Sequence, residues 1–228
     1  MAKLNGAHLF NRQHRITYPT TIWLSHLNRV LNEKYTQNYS KKKRTKFNLG
    51  LKAKARLKNK IRICLNKIFL TDIIIETASL YFPINNEISP FDFINYLQKK
   101  NVTLSLPVID TKNKSMNFKK WIPNNKLIQG PFGTMQPEKT QISILPQILV
   151  VPMLSFDKEL YRLGYGGGYY DKSIITLKKH FNKEKKFFIT IGLAYSIQEE
   201  KKLPIEKHDM RLDYIITENE ILSNFKHQ

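Results

Sequence analysis

The sequence has a single cysteine, Cys64, so no disulfide forms within the chain, and at 228 residues none is needed to hold a core. No apolar run approaches the roughly 18 residues that a membrane-crossing helix requires, and the opening Met1-Ala2-Lys3-Leu4-Asn5-Gly6 lacks the apolar stretch of a secretory signal. A soluble, cytoplasmic protein in a reducing setting is therefore expected. Arg12, Arg15 and Arg29 without a neighbouring acid would also suit a mitochondrial transit segment, but the Lys, Asn and Ile excess runs along the whole chain as a general bias. Acid is the scarcest commodity at the start. Residues 1 to 70 carry 17 Lys or Arg against the lone Glu33, whereas residues 71 to 228 carry 21 against 17, so the net charge of +20 sits mostly on a basic leader. Glycine is sparse as well, with nine in all. Four of those nine fall within five positions, which makes their location informative.

The leader, 1 to about 40, shows no sustained period, and nothing in it demands fixed structure. It reads as a basic extension on a single domain running from 41 to 228. From Lys52 to Leu70, the residues Ala53, Leu57, Ile61, Cys64, Leu65 and Ile68 recur at spacings of three and four, which predicts an amphipathic helix whose other face is basic. Short β-rich runs follow at Ile73 to Ile75 and Ala78 to Phe82. Ser89-Pro90 before Phe91, Ile94 and Leu97 starts a second helix. Strands are expected at Val102 to Pro107, at 115 to 122 on a sheet edge, and at Ile148 to Leu154, the last buried on both faces. A helix over 169 to 181 and strands at Phe187 to Leu193 and Leu212 to Thr217 complete an α/β domain. Its sheet should be largely parallel and flanked by helices in a Rossmann-like three-layer arrangement, with its ligand site beyond the strand C-termini.

The clustered glycines lie in Arg162-Leu163-Gly164-Tyr165-Gly166-Gly167-Gly168-Tyr169-Tyr170-Asp171, after the buried strand and before a helix. Glycine permits positive φ and close approach, so successive N–H groups can cradle phosphate oxygens at a helix start. Neither the Walker pattern nor the dinucleotide fingerprint fits. A flexible surface turn would not need the flanking Arg162 or Tyr-Tyr-Asp.

The series resembles the signature of the 5-formyltetrahydrofolate cyclo-ligase family, also called 5,10-methenyltetrahydrofolate synthetase, including the preceding Phe156-Asp157. Four further segments match in order: Leu80 to Ile88, Gly130 to Pro137, Ile191 to Tyr195, and Leu203 to Asp209 continuing through Asp213 to Thr217-Glu218. The resemblance implies an ATP- and Mg²⁺-dependent enzyme that converts 5-formyltetrahydrofolate to 5,10-methenyltetrahydrofolate, ADP and phosphate. It places ATP on Arg162, Leu163, Gly164, Tyr165, Gly166, Gly167, Gly168, Tyr169 and Tyr170, with Arg162 and Tyr170 as catalytic groups. It places magnesium at Asp171 and Asp209, and folate, polyglutamylated or not, at Phe82, Glu87, Phe132 and Tyr170.

The family's opening helix carries a Lys-x-x-x-Arg element that contacts ATP. Aligning Lys42-Lys43-Arg44 with the basic stretch that follows that element puts Glu33 and Gln37 at its positions and leaves Lys34 as the nearest replacement. A monomer is expected, with no membrane partner. Two other readings stay open from the residues alone: a basic nucleic-acid-binding protein, because the leader can neutralise many phosphates, and a sugar-phosphate isomerase or CoA-transferase-like enzyme of the same architecture.

Overall fold

The computed structural model describes residues 33–34, 36–44, 47–71 and 73–225. The arginines at 12, 15 and 29 and the greater part of the basic leader lie outside that range. Within it, residues 33–34 and 36–44 are helical, the latter designated α1, so part of the segment in which the sequence shows no period has regular structure.

The three-to-four spacing does make a helix, α2 (Leu51–Phe69), which turns Leu57, Ile61, Cys64, Leu65 and Ile68 inward. Cys64 is so well covered that burial pushes its thiol up to about 12, where it stays protonated and unreactive. α3 (Asp92–Lys99) buries Phe93 and Leu97 beside it. Between them runs β1 (Thr77–Ser79), shorter than the apolar runs suggested. Residues 73–75 do not join the sheet, and Glu76 meets it only through its carbonyl, which accepts from the Thr103 N–H at 2.8 Å. The Gln147 side chain takes their backbone groups, accepting from the Glu76 N–H at 2.8 Å and donating to the Ile74 carbonyl at 3.0 Å, and Ile74 faces solvent.

β2 (Thr103–Asp110) outruns the expected strand because it forms a hairpin with β3 (Ser115–Lys120), paired from Ser105↔Lys120 to Asp110↔Ser115. A small antiparallel pair, β4 (Ile128–Gln129) and β5 (Met135–Gln136), flanks a tight turn at Pro131–Gly133. The continuous apolar run forms β6 (Ile148–Pro152). The hairpin β7 (Ser155–Phe156) and β8 (Arg162–Leu163) leads into the glycine loop and then α4 (Tyr169–Lys183). β9 (Ile189–Leu193) starts two residues later than expected, because its ladder with β6 begins at Ile148↔Ile189 and Phe187 is outside it. β10 (Tyr214–Ile216) and β11 (Ile221–Ser223) close the sheet.

The main sheet has seven strands in the order β11-β10-β9-β6-β1-β2-β3, with five parallel central strands and an antiparallel strand at each edge. β3 is an edge strand, as expected from its lysines. Its open side is partly covered by residues 142–144, where Lys120 donates to the Ile142 carbonyl and Phe118 accepts from Ile144, both at 2.8 Å. Alternate β6 residues point to opposite layers. Ile148 and Val150 pack with α2 and α3, while Leu149 and Val151 pack with Ile174, Leu177 and Phe181 of α4. The three-layer α/β reading holds. Among the described residues no helix is long and apolar enough to cross a membrane.

Gly192 of β9 marks where these layers press closest. A β-carbon there would lie 3.1 Å from Ile215 Cγ1 and 2.7 Å from Leu212 Cδ1, and nearer still to Met153. Gly192→Ala should therefore lower the unfolding free energy by about 1–3 kcal/mol. Urea unfolding reads this directly, and an unchanged midpoint would show that the layer gives way freely.

Candidate active site

Parallel strands deliver their C-terminal ends to one edge of the sheet, and a cavity of about 550 Å³ opens there. Its walls come from the segment after β1, from β2, from the β4–β5 turn, from the glycine loop and the start of α4, and from the 204–209 loop. Helix α1 borders it: Lys41 lines the cavity, as does Glu33 before it, and the Gln37 side chain sits 3.4 Å from where a Gly166 β-carbon would be. Every sequence-assigned site residue lines this cavity except Lys34, which is exposed.

The glycine loop has the backbone its composition allows. Gly166 and Gly168 have φ of +85° and +65°, which a residue with a β-carbon adopts only under strain. Gly168 caps α4 without a side-chain hydrogen bond, so the first N–H groups of the helix are left for other acceptors. Across the cavity, Phe132 itself sits at φ 60°, a rare conformation for a bulky side chain and one that cores seldom tolerate without purpose. It is two-thirds exposed, and its ring lies 6.1 Å from that of Tyr169. Phe82 lines another wall and backs onto Phe91, with ring centroids 5.6 Å apart.

Arg162 is oriented by two acceptors. Its guanidinium donates to Asp171 Oδ1 at 2.8 Å and to the Met210 carbonyl at 2.9 Å, and Asp171 Oδ1 also accepts from the Met210 N–H at 3.0 Å. Asp209 accepts from the Glu206 N–H at 2.6 Å. Burial, together with the nearby Asp171 charge, raises its carboxyl above the usual range. The two carboxylates thus line one wall, with the Asp171 charge felt at Asp209. That is the donor set magnesium takes when phosphates and water complete its shell. Among the described residues no cluster of three or more His, Cys, Asp or Glu forms a protein-only metal cage. Burial and the Glu87 charge raise the Tyr170 phenol, with Arg162 opposing, so it is a proton donor at neutral pH and not a base.

Glu87 occupies the far wall with a side chain only 5% exposed. Burial drives its carboxyl up to about 7, against the pull of the Ile84 N–H at 3.0 Å and of Arg44. Arg44 is the group that sequence reasoning missed. Its side chain is 1% exposed; one terminal nitrogen donates to the Met153 carbonyl at 3.1 Å and lies 3.6 Å from Glu87 Oε1. The other donates to the Asn85 carbonyl at 3.0 Å and to the Tyr165 hydroxyl in the glycine loop. In the sequence it is one more basic residue at the end of Lys41-Lys42-Lys43, and only its guanidinium fork distinguishes it from its neighbours. Conversely, several motif residues turn out to be scaffold. Asp157 accepts from the N–H groups of Glu159, Tyr161 and Leu203, and Asp213 from the N–H and hydroxyl of Thr190. His208 lies at the rim, 3.0 Å from Glu206.

A model of the 5-formyltetrahydrofolate cyclo-ligase family matches residues 26–218. The chain belongs to that family. It is 35% identical over 142 residues to the 5-formyltetrahydrofolate cyclo-ligase of Haemophilus influenzae, covering 60% of this chain and 73% of the relative. Among solved structures, it resembles the 5,10-methenyltetrahydrofolate synthetase of Aquifex aeolicus at 25% identity and a TM-score of 0.62, over 86% of this chain and 94% of that one. The Mycoplasma pneumoniae synthetase, 24% identical with a TM-score of 0.58 over 81% and 97% of the two chains, shares the fold. As a cyclo-ligase family member, the chain is a ligase of folate one-carbon metabolism, and the cavity at the strand ends is its candidate active site. The match begins at residue 26, so helix α1 belongs to the family region.

Glu87 gives this site a pH signature in stability. A carboxyl raised from 4.5 to about 7 by folding favours the native state fully below 4.5, and that contribution is lost as pH rises through 7. Glu87→Gln should therefore flatten the fall in melting temperature between about pH 4.5 and 7, an effect of a few kcal/mol at most. Thermal unfolding at pH 5 and pH 7.5 checks this; parallel curves for the two proteins would place the Glu87 carboxyl in water.

Proposed function

We propose that this chain uses ATP and Mg²⁺ to close the ring of 5-formyltetrahydrofolate, giving 5,10-methenyltetrahydrofolate, ADP and phosphate. The observation that carries the reading is convergence. The glycine loop, the Asp171 and Asp209 carboxylates and the buried Glu87 face one cavity, in a chain of the cyclo-ligase family.

The chemistry follows from the substrate. The oxygen of an N-formyl group is a poor leaving group, so it first attacks the γ-phosphorus of ATP, and ADP departs. The nitrogen at position 10 then attacks the activated formyl carbon and loses its proton. The carbon–oxygen bond breaks, phosphate leaves, and the five-membered ring is closed. Most of the protein's task is positioning and neutralising charge.

The open N–H groups at Gly168 and the start of α4 suit the phosphates, and Arg162 stands beside them, held in direction by Asp171. Magnesium bound at Asp171 and Asp209 would neutralise phosphate charge as the phosphoryl group transfers. Phe82, Phe132 and Tyr169 offer flat apolar faces to a pterin, Tyr170 offers a hydroxyl donor, and Glu87 hydrogen-bonds the folate from the opposite wall. With its carboxyl near 7, Glu87 can accept from a ring N–H when ionised or donate to a ring nitrogen when protonated. Lys34 is exposed and does not line the cavity, whereas Lys41 of α1 does.

Turnover should appear as an ATP-dependent rise in near-ultraviolet absorbance with 5-formyltetrahydrofolate. Tight DNA binding at physiological salt without that rise would overturn the reading. Asp171→Ala should reduce turnover by about a hundredfold with the fold intact, through loss of both a metal ligand and the Arg162 anchor. Near-normal activity at saturating Mg²⁺ would remove Asp171 from the site. Gly166→Val should weaken apparent ATP affinity, since the backbone at +85° and the Gln37 side chain both oppose a β-branched residue. An unchanged KM for ATP would count against the phosphate cradle.

A further inference from the structure

We propose that Arg44 is a positioning residue for this site. Its buried guanidinium holds the Glu87 wall and the Tyr165 end of the glycine loop in one arrangement, and so fixes the folate side of the cavity against the nucleotide side. The terms folate side and nucleotide side rest on the function proposed above; the mechanical link does not.

The contacts make the case. Arg44 leaves α1 and reaches the end of the sheet at the Met153 carbonyl, the post-β1 loop at the Asn85 carbonyl, and the glycine loop at the Tyr165 hydroxyl. The post-β1 loop is fastened to the same point from its own side. Asn86 Nδ2 donates to the carbonyls of Arg44 and Phe47, both at 2.8 Å, and both Asn85 and Asn86 have positive φ. A guanidinium at 1% exposure is an expensive way to gain stability, because well-packed apolar residues serve as well or better in that role. Its Nε–H has no hydrogen-bond partner among the described residues, so stability alone has not optimised the position. What the guanidinium offers, and an apolar side chain does not, is directional bonding to several segments at once.

Glu87 reports the state of this link. Besides Arg44 at 3.6 Å, the groups that face it are the hydroxyls of Tyr81 and Tyr170, both held protonated well above the usual range by burial. Lys41, Glu33 and Arg162 line the cavity beyond. A change made at Tyr165 therefore reaches the Glu87 carboxyl mainly through Arg44.

The test is an NMR titration of ligand-free full-length protein, following the Glu87 carboxyl carbon and the Arg44 guanidinium nitrogens in the same sample. Tyr165→Phe removes one acceptor from the shared terminal nitrogen and lets the guanidinium turn toward Glu87. The Arg44 signals should move, and the Glu87 midpoint should fall by about 0.3 pH unit or more, a twofold change in its dissociation constant. In an Arg44→Lys background, which keeps the charge and loses the fork, Tyr165→Phe should leave the Glu87 midpoint in place. An unmoved or raised midpoint on Tyr165→Phe, or an equal fall in both backgrounds, would overturn the proposal. The Tyr165→Phe measurement needs no Arg44 variant to fold, and it reads no turnover, so its failure is distinct from failure of the proposed reaction.

Discussion

A full positive charge sits behind the wall of the cavity, almost out of contact with water. Arg44 keeps it there by spreading it over the carbonyls of Met153 and Asn85, the Tyr165 hydroxyl and the nearby Glu87 carboxylate. Moving such a charge out of water costs several kcal/mol unless acceptors replace the solvent, so the segments that supply them are held to the guanidinium. Those segments belong to different parts of the chain: α1, the loop after β1, the end of β6 and the glycine loop. Without that common point, the parallel sheet would still bring its strand ends together, but the loops on them would have no shared reference.

The rest of the site follows from topology. Five parallel strands place the connections that follow their C-terminal ends at the same edge, and the cavity lies among those connections. Local chemistry then divides it. On one side, glycines at positive φ and an uncapped helix start present N–H groups, with Arg162, Asp171 and Asp209 alongside. On the other, burial makes Glu87 titrate near neutrality and keeps Tyr170 protonated. The division suits a reaction in which a phosphorylated group must meet a heteroaromatic ring.

Much of this was legible in the residues. The spacing from Ala53 to Ile68 gave α2, the run at 148–154 gave β6, and alternate β6 residues serve both layers as a doubly covered strand requires. The five ordered motifs pointed to the family whose model matches residues 26–218, and with that match the nucleic-acid and isomerase readings lose their footing. Ile73 to Ile75 misled because a β-rich run does not show that Gln147 will claim its backbone. Arg44 was hidden for a different reason. A lysine-rich stretch gives no periodic sign of which cation turns inward, and burial of one guanidinium depends on carbonyls far away in the chain. Motif membership does not by itself separate Asp171 and Asp209, which line the cavity, from Asp157 and Asp213, whose carboxylates accept from neighbouring groups.

The central claim is that the formyl oxygen is phosphorylated within this cavity before the ring closes. It is tested most directly by following that atom. 5-Formyltetrahydrofolate labelled with oxygen-18 in the formyl group, turned over with unlabelled ATP and Mg²⁺, should release inorganic phosphate carrying the label, seen as an isotope shift in its phosphorus NMR signal. Unlabelled phosphate, with the oxygen-18 recovered in water, would contradict the account.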